Sequence, residues 1–355
     1  MPALQSATAR PPARNGPVRI GVLDQSPIIS GHSPVEAVQE TVYLAQMAEE
    51  LGFHRYWLAE HHSISALADP CPEILLARIG AATSRIRIGT GGILLPYYSP
   101  LKVAEVFRML DALYPDRLDL GVGRAPGGDM RTAQAMANGR PVSAEQFPQQ
   151  VIDLRDFLSG KMPPGHPFAR VHAMPSGSTR PQIWMLGSSD YGGLLAAHLG
   201  LRFAFAHFIS AHGGDAVGRA YRDRFEPSAD LAAPVSAVCV FVICAPTHDE
   251  AEHLAASVDL RRLHMARGID APVPNLSEAH SYRYEPNERA YVQEQRARLI
   301  HGDPGEVRAK LEALKAEFIA DELLVLTITG DYASRRTSYR LVAEAFELNG
   351  STVTT

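Results

Sequence analysis

A glutamate and two histidines stand side by side at Glu60, His61 and His62, where a predicted strand ends. An imidazole titrates near the pH at which most enzymes work, so a histidine placed there can act as a general base. Adjacent side chains of an extended chain point in opposite directions, and only one of the two histidines readily faces a common site. A structural histidine and a metal ligand are the alternatives. The other predicted strand ends supply no matching ligand set, so no metal is predicted.

Hydroxyl groups and an arginine form a second set of candidate residues. Ser188 and Ser189 follow a predicted strand and precede a predicted helix, where free backbone N–H groups and the positive helix end can bind a phosphate. The alternative is that Ser189 or Asp190 is only the N-cap of that helix. Arg124 follows another strand in a G-x-G-x-x-x-G pattern, which differs from the dinucleotide-binding fingerprint. This arginine is predicted either to bind a phosphate or to form a surface salt bridge.

Strands and helices alternate along the chain and determine where these residues lie. Two helices begin with a clear capping pattern, Ser33 with Glu36 and Asp303 with Glu306, each followed by a proline at the first helical position. The predicted strands are Val18–Asp24, Arg55–Glu60, Arg85–Leu95, Arg117–Gly123, Gln182–Gly187, Arg202–Phe208, Val235–Cys244 and Glu322–Ile328. Eight strands with helical crossovers pair in parallel, which predicts an α/β fold, a single-domain (β/α)8 TIM barrel with insertions.

Three segments depart from this alternation. Residues 1–17 are predicted to be a disordered N-terminal tail, residues 18–348 the barrel, and residues 349–355 a C-terminal tail. Residues 268–301 are polar and aromatic and contain prolines, and they lie before the last helix and strand. A segment of this length between two barrel units is predicted to be a lid, with a solvent-exposed excursion as the alternative.

Composition limits the possible classes of function. The chain has 355 residues and a formal net charge of -5, which argues against a nucleic-acid-binding protein. No apolar run approaches the roughly 20 residues that span a bilayer, so no membrane association is predicted. The N-terminus has no apolar core of a secretory signal, and the three cysteines lack the spacing of a zinc site. A cytoplasmic location is therefore expected.

Active sites of (β/α)8 barrels lie at the carboxyl ends of the strands. The glycines Gly91, Gly92 and Gly123 occur at such ends, together with the polar residues described above. Tyr97 follows the third predicted strand, and His207 and Phe208 end the sixth. These three residues are predicted to shape a substrate pocket. The alternative is that these three residues only pack within the fold. Tyr98, Tyr282 and Tyr284 are likewise predicted either to shape the pocket or only to pack.

Two stretches resemble the bacterial luciferase-like flavin monooxygenases. They are WLAEHH at Trp57–His62 and IGTGGILLPYYSPLKVAEVFRMLDALYPDRLDLGVGRAPG at Ile88–Gly127, and the resemblance extends from Val18 to about Phe346. It implies FMN at the barrel mouth, a non-proline cis peptide at Gly91-Gly92 beneath the flavin ring, and His61 as a base or hydrogen-bond donor. The cofactor-binding residues that it implies are Gly91, Gly92, Gly123, Arg124, Leu186, Gly187, Ser188 and Ser189.

The resemblance also implies an activity and partners. Reduced FMN, used as a cosubstrate or loosely bound, and molecular oxygen would oxidise a small organic substrate. No second nucleotide-binding fold is visible in the sequence, so a separate NAD(P)H-dependent flavin reductase is expected to supply the reduced FMN. The family commonly forms dimers, which implies a homodimer. The alternatives are a deazaflavin-dependent, hydride-transferring dehydrogenase on the same barrel and a non-catalytic flavin-binding protein; a metal-dependent hydrolase is more remote.

Overall fold

The computed structural model describes residues 18–124, 128–140 and 143–348. The two predicted tails and residues 125–127 of the glycine pattern after Arg124 lie outside these ranges. The strands are β1 (Arg19–Asp24), β2 (Arg55–Leu58), β3 (Arg87–Leu94), β4 (Leu118–Gly123), β5 (Gln182–Gly187), β6 (Arg202–Ala206), β7 (Ser236–Cys244), β8 (Leu299–Gly302) and β9 (Glu322–Leu326).

Eight of these strands form a closed parallel barrel, which confirms the predicted fold. The strands β1 to β7 pair in sequence order, and β9 pairs with both β7 and β1 to close the barrel. The short strand β8 lies outside the barrel, where it pairs with Phe241–Cys244 at the carboxyl end of β7. The predicted eighth strand is therefore β9, and β8 belongs to the insertion that precedes it.

The helices surround the barrel and cover its mouth. They are α1 (Pro34–Glu50), α2 (Pro72–Ala82), α3 (Pro100–Leu113), α4 (Met130–Met136), α5 (Phe147–Ser159), α6 (Asp190–His198), α7 (Gly214–Asp223), α8 (His248–Ala266), α9 (Leu276–Ser281), α10 (Pro286–Gln295), α11 (Pro304–Glu317) and α12 (Tyr332–Ala345). Both predicted capping boxes are present, at Ser33 with Glu36 and at Asp303 with Glu306. Each satisfies two N–H groups of the first helical turn, which sets where α1 and α11 begin.

Large side chains fill the inside of the barrel. Trp57 and Trp184 meet edge to face with their ring centroids 5.2 Å apart, and both are fully buried. Leu254 and Val258 of α8 belong to the same apolar cluster as these tryptophans. The helix α8 therefore packs over the carboxyl end of the barrel and does not join the outer ring.

The segment predicted as a lid lies on the loops that follow β1 and β2. The Val273 N–H donates to Ile28 O at 2.8 Å, and the Val273 carbonyl accepts from the Ser30 N–H at 2.8 Å. The Asp270 carboxylate accepts from both the N–H and the hydroxyl of Ser65, at 2.8 and 2.7 Å. Residues 268–301 contain α9 and α10 and lead into β8. This places the segment at the barrel mouth, and its opening and closing stays a prediction.

Within the described ranges, no helix combines the length and the apolar character that crossing a bilayer would require.

Candidate active site

A cleft of about 230 Å3 lies at the carboxyl ends of the barrel strands. Most of the predicted site residues line it: His61, Gly91, Gly92, Gly123, Arg124, Leu186, Gly187, Ser188, Ser189 and Phe208. A second cleft next to it also contains Ser188 and Ser189 in its wall. A long ligand can therefore extend from the barrel mouth past the two serines.

Backbone forms one wall of the cleft at Gly91 and Gly92. The peptide bond between them is cis, as the resemblance implies. A Cβ on Gly92 would lie 2.6 Å from Gly121 O, and one on Gly91 would lie 2.7 Å from the Cδ1 atom of Leu23. The backbone contact means that Gly92 has no room for a side chain, whereas a side chain at Gly91 would displace Leu23. Two glycines leave this wall free of side chains, where a flat ring system would need room.

At the junction of β5 and α6, the hydroxyl groups of Ser188 and Ser189 make no hydrogen bond to another described residue. Ser189 is the N-cap of α6, but its side chain makes no capping hydrogen bond. The alternative of a simple N-cap thus leaves the hydroxyl without a role. Asp190, the next residue, accepts from the Tyr191 N–H at 2.8 Å. The first turn of α6 has free N–H groups near Ser188 and Ser189, an arrangement suited to an anion.

Arg124 is exposed at the end of β4 and lies across the ring of Tyr191, with its guanidinium carbon 4.3 Å from the ring centroid. It forms no ion pair with any carboxylate of the described residues. The stacked guanidinium is held at the same edge of the cleft as the serine pair and retains its hydrogen-bond donors. This geometry favours the phosphate interpretation over the surface salt bridge.

His61 faces the cleft as a neutral imidazole. Burial lowers the pKa of His61 to about 4, and the positive charge of Arg261 acts in the same direction. Its Nδ1 lies 3.2 Å from Ala59 O. A carbonyl oxygen can only accept, so this contact requires a proton on Nδ1 and leaves Nε2 as an acceptor. His61 can therefore accept a hydrogen bond from a ligand at neutral pH.

The neighbouring histidine does not line the cleft. The Nε2 atom of His62 lies 2.7 Å from the Glu60 carboxylate, which also accepts from the Tyr98 hydroxyl at 2.6 Å and from the Leu94 N–H at 2.8 Å. The two histidines thus point in different directions, as expected for adjacent residues at a strand end. No group of three or more histidine, cysteine or acidic side chains in the described part of the chain is arranged to hold a metal ion.

The predicted substrate-pocket residues are not all brought together. Phe208 lines the cleft, with its ring centroid 6.2 Å from that of Phe241. Tyr97 is buried with Leu94 and Ala137 and does not line the cleft. His207 is also absent from the cleft wall and packs near Phe318.

Sequence reasoning missed several residues of the cleft wall, among them Phe147, Tyr191 and Ile209. Tyr191 follows the serine pair in the first turn of α6, so its position in the chain was a usable signal. Phe147 begins α5 and is distant in the sequence from every other wall residue. No local pattern indicates that it reaches the cleft.

The burial of His207 predicts a pH dependence of stability. The residue is 6% exposed, its Nδ1 has no hydrogen-bond partner among the residues that the structure describes, and burial lowers its pKa to about 4. Between pH 6.5 and 4 the unfolded chain binds a proton at this imidazole before the folded chain does. The free energy of unfolding therefore falls as the pH decreases through this window, by at most about 3 kcal/mol from this residue.

We expect His207→Leu to remove that contribution. Urea unfolding at several pH values between 7.5 and 4.5 should give a stability difference between variant and wild type that grows as the pH falls. His198→Leu, which removes an exposed histidine, serves as the control. A constant difference across the whole range would show that His207 does not titrate in this way.

Proteins of similar sequence indicate the family to which the chain belongs. Residues 18–322 match the family described as luciferase-like monooxygenase. The chain belongs to this luciferase-like monooxygenase family. It is 36% identical over 331 residues to a luciferase-like monooxygenase of Escherichia coli strain K12, covering 93% of this chain and 97% of that protein. It is 34% identical over 331 residues to the N-acetyl-S-alkylcysteine monooxygenase of Bacillus subtilis strain 168, covering 92% and 98%.

Solved structures of this luciferase-like monooxygenase fold agree as well. The crystal structure of apo-MsnO8 matches with a TM-score of 0.88 and 38% identity, over 94% of this chain and 99% of that one. Two more distant structures share the fold at 18% and 14% identity, with TM-scores of 0.67 and 0.65. They are the oxygenating constituent of 3,6-diketocamphane monooxygenase of Pseudomonas putida in complex with FMN, and an F420-dependent secondary alcohol dehydrogenase. Each of these two matches spans 93% of this chain. The predicted family and enzyme class, a flavin-dependent monooxygenase, are confirmed.

Proposed function

We propose that this luciferase-like protein is an FMN-dependent monooxygenase that uses reduced FMN and molecular oxygen to oxidise a small organic substrate. The observation that carries the proposal is a cleft with a side-chain-free wall at one end and unused anion-binding groups at the other. The wall is formed by Gly91 and Gly92, and the anion-binding groups are Ser188, Ser189 and Arg124.

The residues present fit the two parts of FMN. The isoalloxazine would lie against the Gly91-Gly92 backbone, where a Cβ on Gly92 would collide with the Gly121 carbonyl and one on Gly91 with the Leu23 side chain. The phosphate would lie at the start of α6, where the hydroxyl groups of Ser188 and Ser189, the free helical N–H groups and the Arg124 guanidinium provide donors. The two adjoining clefts share these serines, which gives the phosphate a place at the junction.

Reduced FMN, when bound, supplies the electrons that activate oxygen. The chain positions the reactants and keeps water away. The neutral His61 accepts a hydrogen bond at Nε2, and Phe208 provides an apolar surface. Residues 268–301 would act as the lid, because Asp270 and Val273 already attach this segment to the loops at the barrel mouth. A closed lid excludes water, which protects oxygen chemistry from side reactions.

A separate NAD(P)H-dependent flavin reductase would supply the reduced FMN. The described residues form one barrel and contain no second nucleotide-binding fold. The P. putida neighbour is itself described as an oxygenating constituent, which supports a division of labour between two proteins. A homodimer remains a prediction of the same proposal.

Rapid mixing tests the cofactor. Reduced FMN and a reduced deazaflavin are each bound anaerobically, then mixed with oxygen, with and without protein. We expect the protein to bind FMN, to change the rate of its oxidation, and to incorporate one atom of labelled oxygen into an added thioether such as N-acetyl-S-benzylcysteine. This probe is chosen because the B. subtilis relative is named for such compounds. Binding of the deazaflavin alone would overturn the proposal in favour of hydride transfer.

A further inference from the structure

One arginine of α8 is buried without a partner among the described residues. Arg261 is 8% exposed, and its enclosed Nε has no hydrogen-bond partner in those ranges. Its guanidinium forms no ion pair with any residue of the described ranges. Burial of a guanidinium is unfavourable unless hydrogen bonds or an opposite charge compensate for it. Burial also lowers the pKa of Arg261 to about 10, so the group stays charged at neutral pH.

The position of Arg261 on its helix directs it towards the barrel interior. Leu254, Val258 and Arg261 are spaced by four and three residues, which places them on one face of α8. Leu254 and Val258 pack in the apolar cluster that contains Trp57 inside the barrel. The positive charge of Arg261 also acts to lower the pKa of His61, which lines the cleft. Arg261 itself is not part of the cleft wall; it lies on the face of α8 that packs over the barrel.

The neighbouring arginines have partners. Arg262 donates to Gln295 O at 2.8 Å and lies over the ring of Phe241, 5.2 Å from its centroid. Arg296 is paired with the carboxylate of Asp259 at 2.6 Å. Arg262 also has a buried Nη2 without a hydrogen-bond partner among the described residues, but its remaining groups contact a backbone carbonyl and a ring. Arg261 differs because no hydrogen bond, ion pair or ring contact of its guanidinium occurs within the described part of the chain.

We propose that Arg261 binds a carboxylate of the substrate. This inference rests on the proposed function and defines the substrate class as an acid whose oxidised atom lies between the carboxylate and the flavin. The phosphate of FMN is a poor alternative occupant, because its site at the end of β5 is three strands from His61 at the end of β2. Three strand spacings correspond to about 14 Å along the sheet. A guanidinium binds a carboxylate through two parallel hydrogen bonds, which explains an arginine at this position.

Calorimetric titration of the full chain with N-acetyl-S-benzylcysteine and with its carboxamide tests the proposal, because the two compounds differ only in the anionic group. The titrations are made with and without oxidised FMN, and FMN binding is measured separately. We expect wild type to bind the acid at least about tenfold more tightly than the amide, an effect of about 1.4 kcal/mol. Arg261→Met should lose this preference, and Arg261→Lys should retain part of it.

Arg262→Met is the matched control, since it removes an adjacent buried guanidinium that already has partners; it should keep the preference for the acid. Arg261→Met should also melt at the same temperature as wild type or higher, because it removes an uncompensated buried charge. A lower melting temperature with an unchanged preference would assign Arg261 to a structural role. Equal affinity for acid and amide, or no binding of either, would overturn the proposal. Failure of FMN to bind would instead overturn only the proposed function.

Discussion

The double variant Ser189→Ala, Arg124→Met is expected to bind FMN about 100-fold more weakly than wild type and riboflavin about equally well. Only FMN carries the phosphate, and the variant removes a hydroxyl and a guanidinium from the cleft wall where that phosphate is proposed to bind. Hydrogen bonds to charged groups contribute about 1.5–3 kcal/mol each, and about 1.4 kcal/mol corresponds to a tenfold change. Because Arg124 is exposed, solvent screening weakens its interaction with the phosphate. The expected total loss of binding free energy is therefore nearer the lower limit.

Fluorescence titration of oxidised FMN and riboflavin measures both affinities. The FMN affinity of wild type should also fall as salt concentration rises, whereas that of riboflavin should not. Arg219→Met is the control, because Arg219 is an exposed arginine paired with Asp215 on α7, away from the cleft wall. Equal losses for FMN and riboflavin in the double variant would show that these residues do not bind the phosphate.

The barrel strands could be predicted from the sequence because their apolar runs end in polar or glycine residues. The prediction for β5, Gln182–Gly187, agrees at both ends. The strand β2 was predicted to extend to Glu60 but ends at Leu58. Its polar end leaves the sheet because the Glu60 carboxylate bonds to the Leu94 backbone and the Tyr98 hydroxyl, partners that lie over 30 residues away. A contact of that kind has no local signal.

The insertion after β7 shows a second limit of sequence patterns. The helix α8 has apolar residues at helical spacing, as an outer helix of the barrel would have. Its face packs instead on the barrel mouth, and α11 is the helix that connects to β9. Periodicity identifies the buried face of a helix but not the surface against which it packs. The role proposed for Arg261 therefore depends on the three-dimensional structure.

His61→Ala is expected to slow product formation about 100-fold at unchanged FMN affinity. Because the pKa of His61 is about 4, we expect it to act through a hydrogen bond and not through proton transfer. A hydrogen bond to a charged group contributes about 1.5–3 kcal/mol, and about 1.36 kcal/mol corresponds to tenfold in rate, so a loss of about 100-fold lies within this range. An imidazole with so low a pKa is a weak base at pH 7. Its expected contribution is a hydrogen bond accepted at Nε2, and this role requires no titration near neutral pH.

His61→Gln distinguishes the two roles. A glutamine oxygen can accept a hydrogen bond near the position of Nε2 but cannot act as a base, so this variant should recover at least about tenfold of the lost rate if His61 is an acceptor. If His61 is only an acceptor, its titration should not change the wild-type rate between pH 6 and 8. His62→Gln is the matched control, because His62 is paired with Glu60 and lies outside the cleft wall. If His61→Gln recovers none of the lost rate and the wild-type rate falls below pH 7, His61 acts as a base. Its neighbours in the working enzyme would then have to raise its pKa.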